Sequence, residues 1–295
     1  NGTAGVWRRA AIDDAGGWRA DTLTEDIDLS YRAQLRGWRL VYLEDVISPA
    51  ELPADMPGIR SQQRRWIKGG AENARLHLGG ILRAELPPLR RLHACAHLLG
   101  SSMYMVVFGA ILLSVALTFL KNTYIEVEYL HFGTPFLIAT ICIARVYYLA
   151  QGKGRYRGWG NLLFVVHLLL FLVFTMGLSV QCAIAAFEGW IGKKSEFVRT
   201  PKHGSGLNGT HWTKSRYVAR KIDRDVMIEI FMALVVLSAI VWGVAHGEVG
   251  LLPLQLMALA GLGWVIGLSL WHTTLRRRHA EAPEGEALPE ARPGG

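Results

Sequence analysis

The sequence predicts a two-part chain, an α/β segment over residues 1–92 followed by an α-helical transmembrane domain over residues 93–275. Hydrophobic residues make up 51% of the 295 and the mean hydropathy is +0.22, which is too apolar for an ordinary soluble domain. Long apolar runs begin abruptly near residue 93. The net charge of +8 is gathered between those runs, at 60–92, 153–157, 193–224 and 276–278. Cationic loops beside apolar segments read as flanks of membrane helices, a better account of a pI near 9.6 than nucleic-acid binding.

In the first segment, Ile27, Tyr31 and Leu35 recur at four-residue steps, which predicts a helix from Thr24 to Arg36. Thr22 and Glu25 have capping-box spacing at its start, and Gly37 ends it. The short apolar run Arg39-Leu40-Val41-Tyr42-Leu43 is fit for a buried strand, and a helix followed by a strand predicts α/β. Pro49, Pro53 and Pro57 mark an extended connection to the next helix.

Five apolar runs follow, at 94–120, 134–150, 161–187, 227–246 and 251–271. Each approaches bilayer length, for which ~20 helical residues suffice. With residues 1–92 on the cytosolic side, the first run exits and the second returns, leaving Lys153, Arg155 and Arg157 inside. If 161–187 then spanned, the basic stretch Lys193–Arg224 would lie outside, against the preference of positive residues for the cytosol. Four spans are therefore expected, with 161–187 interfacial or re-entrant and 189–225 a cytosolic loop. Residues 276–295 are expected to be a disordered cytosolic tail. Cys95, Cys142 and Cys182 lie inside apolar runs without metal-ligand spacing and read as packing residues. The chain opens without a methionine and is expected to be a fragment whose upstream part is missing.

Three short motifs carry chemistry. Carboxylates in Thr24-Glu25-Asp26-Ile27-Asp28-Leu29 sit at a helix start, where the dipole alone already favours them. In Gln62-Gln63-Arg64-Arg65-Trp66, residues Gln62, Arg65, Trp66 and Gly69 share one helical face. That face offers an amide, a guanidinium suited to a diphosphate, an indole plate suited to a sugar ring, and then a gap. An interfacial helix at headgroup level would also use Arg and Trp. In Phe197-Val198-Arg199-Thr200-Pro201-Lys202, a hydroxyl and an ammonium stand two residues apart in a basic loop. A basic membrane flank has the same composition.

Taken in order, the Thr-Glu-Asp helix, the Gln-x-x-Arg-Trp helix ~40 residues later and the membrane runs resemble the family 2 processive β-glycosyltransferases. The opening Asn1-Gly2-Thr3-Ala4-Gly5-Val6-Trp7-Arg8 and Ala15-Gly16-Gly17-Trp18 look like the cellulose-synthase-like mannan and glucomannan branch. The resemblance covers residues 1–75 well and 197–202 more loosely, because Arg199 stands where the family's gating loop has valine. It implies part of a GT-A-type domain, with Asp26 as general base supported by Thr24 and Glu25. It puts Asn1, Gly2 and Thr3 near the acceptor, and Gln62, Arg65 and Trp66 on the acceptor sugar and leaving diphosphate. Phe197, Thr200 and Lys202 would form a nucleotide-gating loop. Metal ligands for Mg2+ or Mn2+ are expected upstream, with none in this chain, so the fragment alone is expected to be inactive.

The reading implied is inverting hexose transfer from UDP-glucose or GDP-mannose to a growing β-linked polysaccharide. Transfer would be coupled to translocation across a lipid bilayer, with the bacterial inner membrane as the expected location and no nucleic-acid partner. A non-processive transferase acting on a lipid acceptor shares the chemistry. A transporter or scaffold would leave Asp26, Arg65 and Trp66 without a common purpose.

Overall fold

The computed structural model describes residues 5–43, 45–124, 129–150, 159–197 and 224–281. Ten α-helices occur among them. Four precede the bundle: α1 (Arg9–Asp14), α2 (Glu25–Leu35), the 28-residue α3 (Met56–Arg83) and α4 (Pro88–Leu99). A 3-10 turn at Gly100–Ser102 joins α4 to α5 (Met103–Tyr124). Then come α6 (Tyr129–Ala150), α7 (Trp159–Gly177), α8 (Ser179–Trp190), α9 (Arg224–Ala245) and α10 (Leu252–Glu281).

The expected helix at 24–36 is α2. Its end is a Schellman turn, in which Trp38 N–H bonds Ala33 O and Gly37 N–H bonds Gln34 O while Gly37 adopts φ +91°. The expected capping box does not form. Thr24, not Thr22, is the N-cap, and both threonine hydroxyls are taken by Asn73 of α3. The expected strand at 39–43 is also absent, and no strand occurs among the described residues. Leu40, Val41, Tyr42 and Leu43 are exposed, because a strand needs a hydrogen-bonded neighbour and no described segment supplies one. Among the described residues the helical part of the expected α/β segment is thus present and a sheet is not.

Among the described residues, four helices are long and apolar enough to cross a membrane, Pro88–Leu120, Gly160–Gly177, Arg224–Ala245 and Leu252–Thr274, whereas the span expected at 134–150 holds only the shorter apolar helix Ile138–Ala150. The apolar run 161–187 is not one segment. It breaks at Leu178 into α7, which packs on α10, and α8, which lies along α3 and α5. Residues 276–281, expected in the tail, continue α10; 282–295 lie outside the described residues. The loop assigned to 189–225 is described only to residue 197 and from residue 224.

Small residues bring the membrane helices together. A Cβ at Gly261 would overlap Val173 O, and one at Gly177 would overlap Gly261 O, so α7 and α10 touch backbone to backbone. Met176 packs with Ile111 of α5, Val236 and Ala239 of α9 and Ala258 of α10. The three cysteines are free: Cys182 is buried, Cys95 half-buried and Cys142 exposed.

Candidate active site

Helix α3 organises the site. Asp55 caps it by accepting from Gly58 N–H at 2.6 Å, and Pro57 occupies its first turn, where a missing N–H costs nothing. Its buried residues include the polar Arg60, Lys68, Glu72 and Asn73, which make specific polar contacts on more than one side of the helix.

The acidic turn at the start of α2 lies directly on the face that carries Gly69 and Asn73. A Cβ at Gly69 would stand 2.6 Å from Thr24 Oγ1 and 2.9 Å from Thr24 N, so the gap in the motif is where Thr24 sits. Glu72 accepts from Leu23 N–H at 2.8 Å. Asn73 Nδ2 donates to Thr24 Oγ1 at 3.0 Å and to Thr24 O at 3.2 Å. One turn further, His77 Nε2 pairs with Asp28 Oδ1 at 2.8 Å.

The carboxylates of this turn divide sharply. Asp28 is buried and also receives Arg32, at 2.9 Å from Nε and 2.6 Å from Nη2. Burial by itself would raise its pKa, but the Arg32 and His77 contacts outweigh that and hold it below the usual carboxylate range. Arg32 reaches on to Ala15 O and Gly17 O, fixing the Gly16-Gly17 turn. Asp26 is half-buried and Glu25 exposed, and neither carboxylate has a hydrogen-bond or ion-pair partner among the described residues. Asp28 is scaffold; Asp26 and Glu25 remain free to act.

Beside the turn lies an open cleft of about 550 Å³. Trp18, Arg19, Glu25, Glu72, Lys194 and Phe197 are among the side chains lining it. Arg65 lies over the Phe197 ring, its guanidinium carbon 5.0 Å from the centroid, and its buried Nε has no partner. Trp66 is exposed and Gln62 half-buried on the same helix. The fold therefore gathers Thr24, Glu25, Asp26, Arg65 and Phe197 around α3. Asn1, Gly2, Thr3, Thr200 and Lys202 lie outside the described residues. Among the described residues, no three or more His, Cys, Asp or Glu side chains are grouped to hold a metal ion.

Several polar residues of the site were not anticipated from the sequence. Glu188 of α8 gathers three cations, accepting from Arg64 at 2.8 Å and Lys193 at 2.6 Å with Lys68 at 3.8 Å. Burial would raise the Glu188 pKa, yet the Lys193 hydrogen bond and Arg64 charge leave it lowered. Lys68 is buried and donates to Ser195 Oγ; desolvation lowers its pKa despite the nearby Glu188. Asn73 and His77 do follow Gly69 at four and eight residues, which places them on the motif face; that spacing was the available signal.

The profile of the family described as glycosyl transferase family group 2 matches residues 2–246. Glucomannan 4-beta-mannosyltransferase 7 of Arabidopsis thaliana is 32% identical over 262 residues, 84% of this chain and 43% of that protein. Glucomannan 4-beta-mannosyltransferase 1 of Oryza sativa subsp. japonica is 30% identical over 265 residues, 84% of this chain and 46% of that protein. Glucomannan 4-beta-mannosyltransferase 2 of Arabidopsis thaliana is 31% identical over 284 residues, 90% and 50% respectively. The chain spans about half the length of these relatives. No solved structure matches it significantly.

Proposed function

The chain belongs to glycosyl transferase family group 2, and from that premise we propose that it forms the acceptor-side half of a membrane β-glycosyltransferase. The observation that carries this is the unpaired Asp26 at the start of α2, in a turn seated through Thr24 on the helix that presents Gln62, Arg65 and Trp66, next to Glu25, which lines the cleft. In the proposed reaction an acceptor hydroxyl attacks the anomeric carbon of a sugar nucleotide. The new C–O bond forms as the bond to the diphosphate breaks, so the linkage inverts. Asp26 takes the hydroxyl proton, Arg65 faces the charge that appears on the leaving diphosphate, and Trp66 stacks the acceptor ring. Thr24 and Glu25 support the base as its neighbours in the same turn; Asn1, Gly2, Thr3 and Gln62 act at the acceptor; Phe197, Thr200 and Lys202 close over the nucleotide. The described residues do not fit a metal site, and no step here passes through Mg2+ or Mn2+.

The half of the relatives that this chain does not cover is proposed to supply the nucleotide-binding strands and the metal ligands. The exposed apolar run at 40–43 supports this, as an extended segment suited to the edge of such a sheet. By their names the relatives are glucomannan 4-beta-mannosyltransferases, which favours a mannosyl donor such as GDP-mannose over UDP-glucose. For the membrane part we propose four spans, at 94–120, 134–150, 227–246 and 251–271, with α7 re-entrant rather than crossing and α8 on the cytosolic face. Met176 packed against α5, α9 and α10, followed by α8 running along α3, supports that path, which would leave a bundle for polymer export.

The test uses the full-length protein in membrane vesicles with labelled GDP-mannose and UDP-glucose, Mg2+ or Mn2+, and an Asp26→Asn control. High-molecular-weight label that vanishes in the control is the expected result. Label confined to short lipid-linked product would replace it with the non-processive reading. No incorporation from a wide donor panel would remove the claim of catalysis.

A further inference from the structure

The acidic turn that carries Asp26 is fixed from outside its own helix. A threonine at an N-cap ordinarily turns its hydroxyl onto a first-turn N–H of the helix it caps. Thr24 makes no such bond. Its hydroxyl and its carbonyl both accept instead from Asn73, which is fully buried (0% exposed). The same amide nitrogen reaches Thr22 Oγ1 at 3.3 Å and Gly69 O at 2.9 Å. Two of the four partners, the carbonyls of Thr24 and Gly69, can only accept, and Asn73 Oδ1 has no partner. The site therefore demands a donor at this position, and only the amide side of the residue is used.

Gly69 and Glu72 complete the seat. Gly69 leaves no Cβ where Thr24 must lie, and Glu72 holds Leu23 N–H. The turn is thus referenced to α3, the helix that bears Gln62, Arg65 and Trp66. Two residues beyond Thr24 stands Asp26. In-line transfer tolerates errors of only about 0.5 Å between base, acceptor and leaving group, so a shared rigid reference has catalytic value.

We propose that Asn73 is a positioning residue for Asp26, which rests on the reading of Asp26 as general base. It touches no substrate; it sets where the carboxylate stands relative to the diphosphate and acceptor groups on α3. An aspartate at position 73 has nearly the same shape but presents acceptor oxygens to Thr24 O and Gly69 O, so the two carbonyl contacts become repulsive.

The experiment compares full-length wild type, Asn73→Asp, Asn73→Ala and Gly261→Ala in vesicles, using the labelled donor that wild type incorporates. Rates are expressed per folded enzyme, counted by detergent size-exclusion of the fluorescently tagged protein. The expected result is a kcat lowered at least tenfold in both Asn73 variants with donor KM within about twofold of wild type. Gly261→Ala, in the α7–α10 contact, should lose stability but keep kcat per folded molecule. An unchanged kcat in the Asn73 variants, or a donor KM that rises as far as kcat falls, overturns the proposal. Should neither Asn73 variant fold, Thr24→Val removes only the hydroxyl acceptor and is read by the same two criteria. If wild type transfers nothing while folded, the glycosyltransferase reading fails and this inference with it. If wild type transfers and Asp26→Asn does not, the Asn73 result bears on this inference alone.

Discussion

Asp26 and Asp28 lie two residues apart on α2, so about 200° of helical turn separates their side chains. That rotation explains their different fates. Asp28 is consumed by Arg32 and by His77 of α3, whereas Asp26 pairs with neither and keeps its oxygens free. Because the folded-state pKa of Asp28 is lowered, its contribution is complete above the ordinary value near 3.8 and is lost as pH falls through the lower folded value. Asp28→Asn is therefore expected to cost about 3 kcal/mol at pH 7, as one member of a buried charged pair is neutralised. Thermal unfolding in detergent should show the gap to wild type closing below about pH 4, near the reference carboxylate range. An equal gap at pH 7 and pH 3 would contradict this role. Asp26→Asn should instead leave the melting temperature in place and abolish transfer.

At the scale of elements, the site depends on helices that approach closely because a side chain is missing. Gly69 admits Thr24, Gly189 brings α8 against Lys68 O, and Gly177 with Gly261 lets α7 and α10 meet. In a bilayer, where apolar side chains gain nothing by leaving lipid, such backbone proximity is a main source of helix association. A methyl at Gly261 must push back the backbone of Val173 and Gly177, not a flexible side chain. Gly261→Ala is expected to destabilise by about 1–3 kcal/mol, as overpacking does. The check is a lower midpoint in thermal aggregation of the detergent-solubilised protein. Gly263, two residues on, has open space around its Cβ position, so Gly263→Ala should be neutral in the same assay.

At the scale of the whole molecule, one buried guanidinium joins the motif helix to the membrane bundle. Arg60 of α3 donates to Glu229 of α9 at 2.8 and 2.5 Å, to Gln181 of α8 at 2.8 Å and to Ser269 of α10 at 2.9 Å. Gln181 answers by donating to Arg60 O at 2.7 Å, and Met56 N–H reaches His272 of α10 at 3.1 Å. The start of α9, the end of α10 and α3 thus share one end of the bundle. Removing Glu229 leaves Arg60 charged and buried, which costs about 3–5 kcal/mol. Glu229→Ala should give loss of monodisperse protein on detergent size-exclusion, with Glu229→Gln intermediate because it keeps an acceptor. A Glu229→Ala protein as stable as wild type would mean that Arg60 is held by its other partners alone.

The sequence by itself determined what is written in short-range pattern. The four-residue steps and Gly37 marked α2, the apolar runs marked where helices long and apolar enough to cross a membrane lie, and the spacing of Gln62, Arg65, Trp66 and Gly69 assigned one helical face. Motif order was enough to name the family. Tertiary structure decided the rest, because it turns on contacts between residues far apart in the chain. The strand expected at 39–43 is missing since pairing requires a neighbour that local propensity cannot provide. The break at Leu178 follows from α8 finding buried partners on α3, which its hydropathy does not reveal. Which of two acidic residues is free, and which threonine caps α2, was settled by His77 and Asn73 some 50 residues away. Hydrogen bonds of such reach have no period in a sequence, only a geometry in the fold.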